Sequence, residues 1–218
     1  WLVHRNRRFG YDLRRIHRAG GPVCCEVMTN VLYGLSRLAL KLPSLTPVIV
    51  ARMYDEETGL FWPLSKPSSR QRPPVTWAAL SPLALPDLPE EIGRRLVEEH
   101  LLDPSRFWPA LPPPSVSISD ARFSLDDTVL PGIRRYWRGP TWINAAWLLW
   151  LGLVRLGYAE EAAELGRRVG AALLTSGLHE YYDPFTGRGM GAPGFAWSAL
   201  AIELTDPDPG ASSSYLAA

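Results

Sequence analysis

The chain has 218 residues, of which 46% are hydrophobic and 21% are charged, and its formal net charge is +1. This length predicts one domain that buries about 70% of the surface of the unfolded chain. The composition excludes a disordered protein, and the near-zero charge argues against nucleic acid as a partner. No stretch is apolar and uncharged over the length of a membrane span, so no membrane partner is expected.

Residues 1–21 form a basic segment that we separate from the main domain. Residues 1–20 contain six arginines and a single acidic residue, Asp12. Such a segment could contact RNA or a membrane surface, but a solvated, truncated or disordered start is the simpler interpretation. Because the chain starts at Trp1 rather than at methionine, we expect it to be part of a longer protein.

From residue 22 to residue 102 apolar residues recur mainly at helical spacing. The predicted helical segments are 26–40, 47–53, the nearly all-apolar 74–85, and 88–102. The last is amphipathic, and Glu91–Arg95 and Arg94–Glu98 have the i,i+4 spacing of ion pairs. Residues 59–64 are a candidate for a short extended piece.

The cysteines predict neither a disulfide framework nor a metal site. Cys24 and Cys25 are adjacent, and adjacent cysteines cannot link distant segments. We interpret them as small buried side chains in a reducing compartment, which favours a cytoplasmic protein. The four histidines are scattered, so we expect no metal and no cofactor.

The order of an apolar helix followed by an amphipathic helix recurs downstream. Residues 142–156 are apolar almost all round, except at Asn144 and Arg155, which share one narrow stripe. Gly157 ends this helix, and residues 159–174 follow as an amphipathic helix. Repeated inner and outer helices predict an all-α toroid or solenoid of αα-hairpins, with a helix bundle as the alternative.

Residues 103–135 interrupt this helical pattern. Five prolines lie between residues 103 and 127, and a loop this long inside a domain is usually functional or disordered. Phe107 and Trp108 give the loop side chains that can pack, so we expect it to be ordered and to line a cleft.

Residues 136–197 combine aromatic side chains with a carboxylate in a loop framed by glycine and proline. Five of the nine tryptophans lie here. Sugars offer apolar C–H faces for stacking, and carboxylates break glycosidic bonds, so this composition is typical of a carbohydrate site. Glu180 follows the expected end of the outer helix at Gly177, where loops gather at the mouth of a toroid. We name Glu180 as the candidate catalytic base, with an ordinary surface glutamate as the alternative.

Six more residues are candidates for substrate binding. Their aromatic rings could form a stacking platform or belong to the core, and the arginine could pair with a carboxylate or a sugar hydroxyl. They are Tyr136, Trp137, Arg138, Trp142, Tyr181 and Trp197. Asp183 precedes Pro184 and is interpreted as a turn former, while Trp147 and Trp150 are interpreted as core residues.

Three sequence blocks carry a resemblance to a known family. They are Tyr-Trp-Arg-Gly-Pro-Thr-Trp-Ile-Asn at 136–144, Glu-Tyr-Tyr-Asp-Pro-Phe-Thr-Gly at 180–187, and Gly-Phe-Ala-Trp at 194–197. In order and spacing they resemble bacterial glycoside hydrolase family 63, in particular its mannosylglycerate hydrolase-like group. Leu101-Leu-Asp-Pro and Phe107-Trp108 also match, and the similarity covers roughly residues 22–206.

The resemblance implies an (α/α)6 toroid that hydrolyses α-linked mannosyl or glucosyl compounds with inversion, using one acid and one base. By motif position Glu180 is the base, while Tyr136, Trp137 and Trp142 line the sugar pocket, supported by Arg138. The family's acid is an Asp in a Ser-Gly-x-Asp-Asn-Ser-Pro-like segment, which this sequence lacks. Six hairpins need about twice this length, so we expect the C-terminal half of a toroid.

These expectations define the domains and partners. Residues 22–206 would be the toroid part and residues 207–218 a flexible tail. A carbohydrate is the expected substrate. The missing N-terminal half or a second copy would cover the inner helices at 74–85 and 142–156, whose apolar faces the cut exposes. The alternatives are a non-catalytic glycan-binding or structural toroid, and a trehalase-like or glycogen-debranching-like hydrolase.

Overall fold

The computed structural model describes residues 2–20, 24–64, 73–126 and 137–205. Helices dominate this part of the chain: α1 (Leu2–Arg8), α2 (Leu13–Arg18), α3 (Val27–Ala39), α4 (Thr46–Met53), α5 (Glu90–Leu96), α6 (Ile143–Arg155), α7 (Ala159–Ser176) and α8 (Ala201–Thr205). Two 3₁₀ helices, Trp77–Ala84 and Ala196–Leu200, and a π-helical turn, Val97–Leu101, complete the helical elements. Tyr136, the loop beyond residue 126 and the expected tail at 207–218 lie outside the described residues.

Inner and outer helices alternate as the periodicity predicted. The inner elements are α3, the first 3₁₀ helix and α6, and each is followed by an outer helix, α4, α5 and α7 in turn. The inner elements pack side by side, and a Cβ added at Gly152 of α6 would lie 2.6 Å from Leu83 Cβ. The largest fully buried side chains include Trp142, Trp150, Phe61 and Phe107. One hydrophobic core therefore runs through the three helix pairs.

The burial of the inner helices corrects the prediction that a cut through the toroid exposes them. The 3₁₀ helix Trp77–Ala84 and α6 are almost entirely buried in the core of this chain. Several exposed large apolar side chains lie on and beside α3 and α4, including Leu32, Tyr33, Leu40 and Val48, and others lie on α7 and α8, as at Leu174 and Ile202. Within the described residues no helix is long and apolar enough to cross a membrane.

The basic start contains two short helices, although the sequence led us to expect a truncated or disordered segment. Asp12 caps α2, because its carboxylate accepts hydrogen bonds from the backbone N–H groups of Arg14 and Arg15 at 2.8 and 3.1 Å. Glu26 caps α3 in the same way, accepting from Met28 N and Thr29 N. The helix boundaries thus follow from local capping chemistry.

Two details of the sequence prediction are wrong. Arg94 pairs with Glu90 and Arg95 pairs with Glu99, in place of Glu91–Arg95 and Arg94–Glu98. Glu98 has another partner, because the Tyr158 hydroxyl donates a 2.5 Å hydrogen bond to its carboxylate.

The cysteines are exposed rather than buried. Cys25 joins Leu64 in an isolated β-bridge, with both backbone hydrogen bonds at 3.0 Å. Backbone pairing at the edge of the core, rather than packing of the thiols, therefore holds this segment in place.

Two β-hairpins are added to the helical framework. Strands β1 (Tyr54–Asp55) and β2 (Leu60–Phe61) pair antiparallel after α4, and β3 (His179–Tyr182) and β4 (Gly189–Pro193) pair antiparallel after α7. The extended piece expected at 59–64 is thus one strand of a hairpin, and the second hairpin stands where a loop was expected. Each hairpin follows an outer helix, α4 for the first and α7 for the second.

Candidate active site

The first two sequence blocks are joined by a pair of backbone hydrogen bonds. Thr141 N donates to Tyr182 O at 2.8 Å, and Tyr182 N donates to Thr141 O at 2.9 Å. The Thr141 hydroxyl also donates to Leu111 O at 2.6 Å, which ties in the proline-rich loop. A buried threonine between these segments therefore fixes the distance between the start of α6 and the second hairpin.

The third block is held against the same hairpin. Gly194 N donates to Leu178 O at 2.6 Å, and the buried Ser198 hydroxyl donates to His179 O at 2.5 Å. The three blocks are thus neighbours in space, although α6 and α7 separate the first block from the other two in sequence.

Four aromatic rings from these blocks form one cluster. The rings of Trp137 and Trp142 are stacked, with centroids 3.7 Å apart and planes within 2°. Tyr181 lies 5.0 Å from Trp142, and Trp197 lies 6.2 Å from it. The cluster combines residues that the sequence named as candidates for substrate binding.

Burial divides the cluster into two layers. Trp142 and Tyr181 are each only 1% exposed, whereas Trp137 is 43% exposed and Trp197 is 47% exposed. The buried pair therefore forms the support, and Trp137 and Trp197 provide the aromatic surface that a ligand can reach. Trp150 is a core residue, as expected, and Trp147 is half-buried against the core.

Glu180 lies on β3 immediately before Tyr181, and its side chain is half-buried. Its Oε2 accepts a 3.3 Å hydrogen bond from the backbone N–H of Ala192 on β4. A Cβ added at Gly191 would lie 2.8 Å from that oxygen and 2.5 Å from Tyr181 Cε1, and Gly191 has a φ of +70°. A glycine is needed here, because any side chain would collide with both the Tyr181 ring and the Glu180 carboxylate.

Asp183 forms the turn of the hairpin, as predicted. Its carboxylate accepts from Phe185 N at 2.8 Å and from Thr186 N at 3.1 Å. Gly187 N closes the turn on the Asp183 carbonyl at 2.9 Å. This use of the carboxylate places Asp183 in the framework of the hairpin.

The proline-rich loop, described up to residue 126, packs against the first block. Ser124 N donates to the carbonyl of Arg138 at 3.0 Å, and a Cβ at Gly139 would lie 2.5 Å from Ser124 O. Phe123 contacts Phe185 edge-on, with centroids 5.9 Å apart. The Arg138 side chain is exposed at this edge.

Asp120 is a carboxylate of this loop whose suitability as a general acid depends on its pKa. Arg122 holds it through two hydrogen bonds of 2.8 and 2.9 Å and lowers the pKa of Asp120 to about 2. A carboxyl group with this pKa is ionised at neutral pH and cannot donate a proton as a general acid. In the described ranges no cluster of histidine, cysteine or acidic residues could hold a metal ion.

The contacts of Gly191 and Ala192 with Glu180 were not predicted from the sequence. A sequence repeat that the two hairpins share was not recognised either. Tyr-Asp-x-x-Thr-Gly occurs at 54–59 and at 182–187. In both copies the tyrosine pairs with the residue seven positions later, and the aspartate accepts hydrogen bonds within the turn. The repeated motif was the signal from which both hairpins could have been predicted.

Solved structures define the class of the fold. The GH63 mannosylglycerate hydrolase from Thermus thermophilus is similar to this chain with a TM-score of 0.75 and 28% identity, over 93% of this chain and 50% of that chain. Neutral trehalase from Saccharomyces cerevisiae shares the fold alone, with a TM-score of 0.52 and 16% identity over 78% of this chain and 31% of that one. The chain is therefore part of an (α/α)6 toroid, as the helix pairs predicted.

The family model of the mannosylglycerate hydrolase MGH1-like glycoside hydrolase domain matches residues 37–198, and the chain belongs to this family. A mannosylglycerate hydrolase of Thermus thermophilus is 49% identical over 72 residues, which are 33% of this chain and 17% of that protein. A glucosylglycerate hydrolase of Mycolicibacterium hassiacum is 30% identical over 159 residues, 70% of this chain and 33% of that protein. The chain spans about half the length of the solved relative.

Proposed function

We propose that this chain supplies the general base and part of the sugar pocket of an inverting α-glycoside hydrolase. The observation that carries the proposal is the Glu180 carboxylate, oriented by the Ala192 amide beside the four-ring aromatic cluster. The relatives are named as hydrolases of mannosylglycerate and glucosylglycerate. We propose the same class of substrate here, a mannosyl or glucosyl unit α-linked to glycerate.

In the proposed reaction Glu180 accepts a proton from a water molecule that lies on the face of the sugar opposite the leaving group. The water oxygen bonds to the anomeric carbon while the bond from that carbon to the leaving oxygen breaks. An acid on the other side donates a proton to the leaving oxygen, so charge and atoms balance and the configuration inverts. Acid and base then stand about 6.5–9.5 Å apart, which leaves room for the water.

The aromatic layers give the sugar its position. Trp137 and Trp197 would stack on the apolar faces of the substrate, and the buried Trp142 and Tyr181 would hold them in place. Tyr136 and Arg138, assigned from the motif, would complete the pocket. Stacking on a rigid ring contributes without a large entropic cost, because Trp137 is already held parallel to Trp142.

The proposed acid comes from a part of the toroid beyond these 218 residues. Asp120 does not qualify because its pKa is about 2, and Asp183 is committed to its turn. The expected partners of this chain are therefore the carbohydrate and this second part of the toroid. A non-catalytic glycan-binding toroid would use the same aromatic surface without an acid, and a trehalase-like enzyme would favour a different substrate.

The test is hydrolysis by the complete gene product that contains these residues, assayed on mannosylglycerate, glucosylglycerate and trehalose. ¹H NMR during the first turnovers identifies the anomer that forms first. The proposal expects β-mannose or β-glucose from a glycerate-linked substrate, followed by mutarotation. Release of the α-anomer would refute inversion. Preference for trehalose would favour the trehalase-like alternative, and no hydrolysis with retained sugar binding would favour the non-catalytic one.

A further inference from the structure

A second cleft lies beside the first hairpin and shares no lining residue with the surroundings of Glu180. Its volume is about 480 Å³, and a neighbouring cavity of about 540 Å³ shares Val75, Arg106 and Arg122 with it. We call it the hairpin cleft. The side chains that matter most for its chemistry are Glu57, Trp62, Arg95, Glu99, His100 and Arg106. Its size lies within the range of small-molecule sites, roughly 300–1,000 Å³.

A π-helical turn builds one wall of the hairpin cleft. After α5 the backbone widens, and Leu102 N donates to Val97 O at 2.9 Å, five residues back. Such turns are rare and frequently occur at functional sites. Here the turn places His100 in the interior, where it is 3% exposed. The pKa of His100 is lowered, chiefly by burial and then by Arg106, so the ring is neutral.

The arginines of the hairpin cleft are paired with acidic side chains. Arg95 binds Glu99 at 3.0 Å and donates to the carbonyl of Glu56 at 2.6 Å. Arg106 contacts Asp103 at 3.3 Å and donates to His100 Nδ1 at 2.6 Å. Because these cations are balanced and His100 is neutral, the hairpin cleft offers fixed donors and acceptors without excess positive charge. That combination suits a neutral polar ligand better than phosphate.

An aromatic ring also lines the hairpin cleft. The indole Nε1–H of Trp62 donates to Thr58 Oγ1 at 3.0 Å, and that hydroxyl donates to Asp55 Oδ2 at 3.0 Å. These bonds hold the half-buried ring in one orientation at the base of the hairpin. An oriented aromatic ring faced by paired arginine and carboxylate groups matches the apolar face and the hydroxyl rim of a sugar.

The repeat shared by the hairpins differs at the position of the proposed base. Glu180 lies on β3, two residues before Tyr182 of the second copy. The corresponding position before Tyr54 of the first copy is Arg52, an exposed residue of α4. The first hairpin therefore keeps the turn of the second but has no counterpart of Glu180.

We propose that the hairpin cleft is a second saccharide-binding site, which holds one or two neutral sugar rings and does not cleave them. The Trp62 ring supplies the stacking face, and the side chains of Glu57, Glu99 and Arg106 supply hydrogen bonds to hydroxyls. Its lining is separate from the aromatic cluster, so its test is independent of the hydrolase proposal.

The test is a titration of the ¹⁵N-labelled 218-residue chain with maltose and with methyl α-D-mannoside, monitored by amide chemical shifts. In a Trp197→Leu background we expect saturable shifts in residues 57–62 and 95–100. Trp62→Leu should weaken the apparent Kd at least about tenfold, and the exposed Glu57→Gln, which leaves the core untouched, should weaken it several-fold. Leu174→Gln on exposed α7 is the control and should change nothing.

Three results would overturn the proposal. Shifts confined to residues around Trp137 would locate all sugar binding at the aromatic cluster. Equal affinity in the Glu57→Gln variant and the control would show that the hairpin cleft makes no polar contact with the sugar. Tighter binding of inorganic phosphate than of either sugar at the same residues would identify an anion site instead.

Discussion

Replacing two glycines of α7 by alanine, one at a time, tests how closely α8 approaches the outer helix. Gly166 and Gly170 lie about one turn apart on the same helix. A Cβ added at Gly166 would collide with the backbone carbonyl of Leu204, whereas at Gly170 the nearest neighbour is the Thr205 methyl carbon Cγ2 at 3.2 Å. A backbone carbonyl cannot move without moving α8, but a methyl group at the end of a side chain can.

The two substitutions should therefore change stability in opposite directions. Alanine is favoured over glycine inside a helix by about 1 kcal/mol. At Gly170 most of this gain should remain, which raises the free energy of unfolding by about 0.5–1 kcal/mol. At Gly166 overpacking costs about 1–3 kcal/mol, which outweighs the gain in helix propensity, so this variant should lose up to about 2 kcal/mol net.

Urea unfolding followed by tryptophan fluorescence measures both effects in the 218-residue chain. The midpoint should rise for Gly170→Ala and fall for Gly166→Ala, while the slope of the transition stays the same. In thermal melts the shift should be about 2–4 °C per kcal/mol. If Gly166→Ala stabilised the chain as much as Gly170→Ala, α8 would not lie against α7 as described.

Three more predictions concern the site and the surface. The isolated chain should hydrolyse α-mannosides and α-glucosides negligibly in a product assay, because a missing acid costs about 10²–10⁴-fold; robust turnover would mean that the chain holds its own acid. The chain should self-associate through the exposed apolar residues of α3 and α4; a monomer by light scattering at every dilution would contradict this. Asp120 has a pKa lowered to about 2 by Arg122, so its contribution to stability is present above the unfolded pKa of about 3.9 and is lost as the pH falls towards 2. Urea midpoints between pH 5 and 2.5 should fall less steeply in Arg122→Gln, and equal slopes would refute the pairing.

The helical framework could be predicted because the helical period of its apolar residues extends over many positions. Residues 142–156 and 159–174 carry the helical period over many positions, and the structure has α6 and α7 there. The hairpins were harder, since strands of two to five residues are too short for alternation to show. Gly189, Gly191 and Pro193 in β4 also look like loop residues. Only backbone pairing with β3 makes that segment a strand.

The sequence named the members of the aromatic cluster but not its layering. Motif spacing named Trp137, Trp142 and Trp197, and the structure brings their rings together. Which ring is buried depends on tertiary packing. The motif alone does not indicate which of the two tryptophans of the first block is buried. The support of Glu180 by the Ala192 amide is a contact between strands. It becomes visible only when the register of the hairpin is known.

Azide rescue of a Glu180→Ala variant in the complete gene product tests the central claim most directly. Removing the base should lower kcat by about 10²–10⁴-fold, since water then lacks a proton acceptor. Azide attacks without losing a proton, so it should restore substrate consumption and yield the β-glycosyl azide. The matched Glu160→Ala variant, on the exposed first turn of α7, should retain full activity. Wild-type kcat in Glu180→Ala, or a loss that azide does not repair, would contradict the assignment of Glu180 as the general base.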